Sequence, residues 1–83
     1  MDLENYLNNK NMKKRFQIII GSPLDYEELV AYIVIDGEHI ALLNQDEGKD
    51  KIKIEFFDDP KIKKIDFNIL IAALIEAEIE LLK

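Results

Sequence analysis

From residue 15 onward, hydrophobic and polar positions alternate with a period of two before changing to the longer period of a helix. Residues 15–21 are rich in Ile and close on Gly21-Ser22-Pro23, which predicts a first strand followed over 22–28 by a loop, or at most one helical turn. Residues 29–36 are β-branched and apolar on both faces, as a central strand requires. Asp36-Gly37 is the strongest hairpin signal, because a tight primed turn needs positive φ, which Asp and Gly tolerate. Residues 38–44 are then the paired third strand. After the turn Asp46-Glu47-Gly48-Lys49-Asp50, residues 51–57 form a fourth. In it Ile52, Ile54 and Phe56 alternate with Lys51, Lys53 and Glu55, predicting one face on a core and one in water. Residues 62–65 offer a short edge strand, weakened by Lys63 and Lys64.

Asp66 reads as an N-cap for a helix over 67–83. At 100° per residue, Phe67, Leu70, Ile71, Leu74, Ile75, Leu81 and Leu82 gather on one face, with Glu76, Glu80 and Lys83 opposite. Glu78 falls inside the apolar face: either it serves a partner or a buried base, or the sheet ends before that turn. Ile69 and Ile79 fall off the core side, as seeds of a dimer contact or as isolated exposed residues. The predicted fold is α+β: a four-stranded antiparallel β-meander packed against one C-terminal α-helix. Residues 1–14 are a polar, Asn-rich extension, either a short docking helix built on Leu3, Tyr6 and Leu7 or a frayed tail. Residues 15–83 form the single domain that a chain of 83 residues has material for.

Charge refines this picture. The net charge is −6, and from Phe16 to Gly48 there are seven acids and no Lys or Arg. In a meander the loop before the second strand shares an end with the turn after the third. Asp25, Glu27 and Glu28 are therefore expected near Asp46 and Glu47, and Asp36 and Glu38 near Asp58 and Asp59. These two acidic poles serve either solubility or docking to a basic protein. They repel nucleic acid and anionic lipid. The basic run Lys10, Lys13, Lys14, Arg15 is short and lacks interleaved aromatics, so no nucleic-acid partner is expected. The apolar run Ile69 to Ile75 is far below the ~20 residues of a membrane span, and no membrane role is expected.

Candidate chemistry is sparse. The chain has no cysteine, which excludes a disulfide framework, a thiol nucleophile and a Cys-based zinc site, and suits a reducing cytoplasm. His39 is the only histidine and Ser22 the only hydroxyl besides tyrosine, so no nucleophile–base pair can be assembled. The turn at 44–50 fails the calcium-loop template: with Gly48 at the sixth position, Leu43 and Ile54 occupy the places of the required acids. No catalytic residue, cofactor or metal is expected.

The block from Asp25-Tyr26-Glu27-Glu28-Leu29 through Asp36-Gly37 to Gln45-Asp46-Glu47-Gly48, with residues 51–57 and the helix after Asp66, resembles small bacterial immunity proteins. These accompany polymorphic toxins, including those of contact-dependent growth inhibition. The resemblance covers residues 16–83 and rests on structural motifs. It implies a cytoplasmic, non-enzymatic protein that binds a cognate toxin domain, a basic nuclease suiting the acidic surface best. The expected partner-binding residues are Asp25, Tyr26, Glu27, Glu28, Asp36, Glu38, Asp46, Glu47, Asp58 and Asp59, with Tyr32 either a further aromatic anchor or core. A small homo-oligomeric structural or regulatory module, antitoxin-like, is the alternative, favoured if Ile69 and Ile79 share one exposed patch.

Overall fold

A computed structural model of the chain describes residues 15–58 and 61–83. Four strands, β1 (Phe16–Gly21), β2 (Val30–Ile35), β3 (Glu38–Asn44) and β4 (Lys53–Phe56), precede one helix, α1 (Phe67–Leu81). The strands form one antiparallel sheet in the order β1-β2-β3-β4, with α1 packed on one face. This is the expected α+β meander. The expected extension over 1–14 lies outside the described residues, as does Asp59.

Asp36 and Gly37 take φ of 49° and 83°, so both central residues of the β2–β3 hairpin are left-handed and the tight turn forms as its sequence demands. One residue of β3 breaks the ladder. Ala41 pairs with Ile33 while His39 pairs with Val34, leaving Ile40 as a bulge. Ile40 and Ala41 are consequently both buried in the same core.

Central β2 is buried on both faces. Ala31, Ile33 and Ile35 join the core under the helix, and Val30 and Val34 are buried as well. On the face away from α1, Tyr32 is half-buried in a ring cluster. It stacks with Phe57 (centroids 6.4 Å apart) and meets His39 edge-to-face at 6.0 Å. Tyr32 thus belongs to a structural cluster, and His39 is an exposed strand residue within it.

Gly21 lies directly against that ring: a Cβ built there would sit 2.9 Å from Tyr32 Cε2. Gly21→Ala is therefore expected to cost about 1–3 kcal/mol through displacement of the Tyr32 ring. Chemical denaturation of the variant, with Tyr fluorescence as a second readout, checks this.

The helix departs from expectation in the face it buries. Its core stripe is Ile69, Ala73, Ala77 and Leu81, at intervals of four residues. Of the expected face, Leu81 is buried, and Leu70 and Leu74 pack at the core margin. Phe67, Ile71, Ile75 and Leu82 are exposed. Ile69, expected off the core side, is 2% exposed, so it cannot share a surface patch with Ile79 at 51%. Glu76 and Glu80, placed opposite the core by periodicity, lie beside Phe16 and Ile18. The physical reason is that α1 is apolar nearly all round, so periodicity alone does not choose a face. Close seating on a twisted sheet selects the stripe with alanines at its middle.

The helix lies over β1 and β2 and reaches only the margin of β3. The half-buried β4 expected from its alternation is accordingly not found: every residue of β4 is exposed, Phe56 to 70%. Residues 62–65 form no edge strand. Asp66 precedes the helix with extended backbone but makes no side-chain cap bond. Its carboxylate instead accepts a hydrogen bond from Arg15 Nη1 at 3.3 Å.

Candidate functional site

The loop between β1 and β2 is the most elaborately held surface segment of the described residues. It begins with a turn in which the Tyr26 N–H donates to the Pro23 carbonyl at 3.2 Å. Gln45 and Asp46, just past the end of β3, and Glu55 of β4 then fasten it. The Asp46 carboxylate accepts the backbone N–H groups of Glu28 and Glu27, at 3.0 and 3.3 Å. Gln45 Nε2 donates to the Leu29 carbonyl at 3.2 Å. Asn44 Nδ2 donates to Glu55 on β4, whose second carboxylate oxygen accepts the Tyr26 hydroxyl at 2.9 Å. That hydroxyl bond is the main reason the Tyr26 pKa is raised, since ionisation would place two negative charges together.

The geometry sorts the expected partner-binding residues. Asp25, Glu27, Glu28, Asp46 and Glu47 come together at one end of the sheet, as the meander requires. Asp46 is occupied in holding the backbone, and Tyr26 is occupied with Glu55. Asp25, Glu27, Glu28 and Glu47 are exposed.

At the opposite end, Arg15 takes up Asp36 through two parallel hydrogen bonds of 3.1 and 3.0 Å. This pairing holds the Asp36 carboxyl below the usual carboxylate range, through the hydrogen bond first and the charge second. Glu38 is half-buried and Asp58 exposed there. The two poles are separated by the length of the strands, about 20 Å, and do not form one site.

Sequence reasoning missed Leu24. Its side chain is fully exposed at the loop's outer bend, with Leu29, at 47% exposure, at the loop's other end. No pattern in the sequence marks it: Leu24 stands alone between Pro23 and Asp25, with no strand or helix period to join. Leu24 is thus an apolar side chain fully in water beside the exposed Asp25, on a loop whose backbone is tied down at residues 27–29.

Among the described residues no group of three or more His, Asp or Glu is placed to hold a metal ion. No helix among them is long and apolar enough to cross a membrane. Glu78 is exposed on the rim of an apolar groove between α1 and β4, lined by Leu43, Ile52, Ile54, Leu74 and Ile75. No family model, curated protein or solved structure matches this chain.

Proposed function

We propose that this chain is a non-enzymatic binding protein of the immunity type, which neutralises a basic bacterial toxin domain in the cytoplasm. The observation that carries the reading is the fastened acidic loop: Leu24 at its bend, with Asp25, Glu27, Glu28 and Glu47 exposed around it. Fixing the loop before contact reduces the ordering entropy lost on binding. Concentrating negative charge at one end of the sheet accelerates encounter with a cationic cleft and disfavours neutral or acidic partners. A nuclease toxin must attract phosphate and so presents such a cleft. Docking of the loop there would block substrate entry without any chemistry on the inhibitor.

The test begins with capture of the tagged protein from native-host lysate at low and moderate salt. The captured basic chain is then expressed as a toxin, with and without this protein. Rescue of growth, together with loss of capture as salt rises, is the expected result. A variant carrying Asp25→Asn, Glu27→Gln, Glu28→Gln and Glu47→Gln should associate roughly tenfold or more slowly at low salt. Unchanged association by that variant, or a captured chain without toxicity, would remove the proposal.

A further inference from the structure

We infer that Asp36-Gly37 is a latent isoaspartate site, kept unreactive by the two-point grip of Arg15 on the Asp36 carboxylate. The pair is the chain's one Asp-Gly, and the chain has no Asn-Gly. Both residues are exposed at the tip of the β2–β3 hairpin. A Cβ built on Gly37 would meet nothing within 4 Å, so the backbone there lies open to water. Glycine also has no side chain to shield its nitrogen.

The reaction is intramolecular and needs no co-reactant but water. The Gly37 backbone nitrogen attacks Asp36 Cγ, an N–Cγ bond forms, and the carboxyl OH leaves as water with the amide proton. Water then opens the five-membered imide. Attack at Cγ restores aspartate. Attack at the Asp36 main-chain carbonyl breaks its bond to Gly37 and leaves Gly37 joined through Cγ, which is isoaspartate. One water is lost and one regained, so the product keeps the parent mass while its main chain is longer by one methylene.

Arg15 opposes the first step in two ways. Its Nε and Nη2 donate to the two carboxylate oxygens at 3.1 and 3.0 Å, so Cγ is tied to the start of β1. The departing oxygen also needs a proton, and the Arg15 hydrogen bond, then its charge, holds the Asp36 pKa down. The main chain is held by the same residue, the Asp36 N–H donating to the Arg15 carbonyl at 2.6 Å. The other charged groups at this end, among the described residues, are Asp66, which accepts from Arg15 Nη1, and Glu38 and Asp58. All three are acids, so the lowering comes from Arg15.

The turn has two central residues and sets the pairing of Ile35 with Glu38 and of Val34 with His39. An extra main-chain methylene there would misplace the buried Val34 and Ile35. The grip of Arg15 therefore guards the sheet against chemical ageing at this turn. The argument stands independently of the proposed docking function, which uses the opposite end of the sheet.

The test is incubation of the full chain at about 37 °C between about pH 4 and about pH 8, followed by peptide mapping for isoaspartate at residue 36. Arg15→Gln should accumulate it several-fold faster than the wild type at neutral pH. Asp66→Asn, which spares the grip on Asp36, should match the wild type. The pH profile separates loss of the grip from mere loosening of the hairpin. Because Arg15 lowers the Asp36 pKa, the wild-type rate should begin to rise only at lower pH than that of Arg15→Gln. Loosening would raise the rate at every pH without moving the profile. Equal rates for the wild type and Arg15→Gln overturn the inference, as does a faster Arg15→Gln whose profile is not displaced. If Arg15→Gln fails to fold, Arg15→Lys decides, since it keeps the charge and loses the fork. That variant should also react faster than the wild type, and an unchanged rate would overturn the inference.

Discussion

Ile33→Ala is expected to lower the unfolding free energy by about 2–5 kcal/mol. Ile33 is fully buried at the middle of β2, paired with Ile18 of β1 and Ala41 of β3. It belongs to the cluster that receives the helix stripe. The cost has two parts, the transfer free energy of the lost methyl and methylene groups and the cavity left behind. Collapse around that cavity is hindered because β2 is hydrogen-bonded on both sides. Domains of this size sit near the low end of the ~5–15 kcal/mol stability range, so the variant should be partly unfolded at 25 °C. Urea unfolding checks this through the midpoint at unchanged slope, with Ile19→Ala as reference. Ile19 is 43% exposed on the opposite face, and its truncation should cost less than ~1 kcal/mol. Equal losses from the two variants would mean that the core is not centred where the structure puts it.

The second large effect concerns the seat of the helix. Ala77→Leu is expected to destabilise by about 1–3 kcal/mol, even though leucine is hydrophobic and a good helix former. Ala77 has no exposed surface, and Ala73, one turn earlier, has none either. These two methyl groups set how closely α1 approaches β1 and β2. A leucine there must either lift the helix or adopt a strained rotamer, and lifting would loosen the contacts of Ile69 and Leu81 at the same time. In thermal unfolding the loss corresponds to roughly 4–8 °C per kcal/mol for a domain of this length. A melting temperature equal to or above that of the parent would show that the alanine stripe does not face the sheet.

These two cases mark where the sequence was legible. Strand order, the Asp36-Gly37 hairpin and the meeting of Asp25–Glu28 with Asp46 all follow from local turn chemistry and up-and-down connectivity, and the structure has them. The rotation of the helix did not follow. Counting large apolar residues gave weight to Phe67, Ile71 and Ile75 and little to Ala73 and Ala77. The contact between a helix and a sheet, however, is governed by how near the axis can come, which favours small side chains. The exposure of β4 was hidden for a related reason. Its alternation states which side points toward the helix layer, but not whether one helix is wide enough to cover four strands.

The acids of the candidate site were visible as a set, yet their division of labour was not. Nothing in the order of residues separates Asp46 and Asp36, which are occupied internally, from Glu27 and Glu47, which are displayed. That distinction depends on hydrogen bonds between segments 18 to 21 residues apart. Leu24 was passed over because an isolated apolar residue in a loop has no period to announce it.

The way the β1–β2 loop is held has a consequence for how this protein can change. Apart from the Tyr26 hydroxyl, the hydrogen bonds that hold the loop use its main-chain atoms: the N–H groups of Tyr26, Glu27 and Glu28 and the carbonyls of Pro23 and Leu29. The side chains that do the holding, Gln45, Asp46 and Glu55, belong to the residues just after β3 and to β4, with Asn44 bonded to Glu55 behind them. Any residue except proline at 27 or 28 presents the same N–H to Asp46. The side chains at 24, 25, 27 and 28 can therefore be rewritten without altering the frame that carries them. The side chains that the loop displays and those that hold its backbone are thus encoded in different stretches of the chain, so the displayed surface can change by substitution in the loop alone.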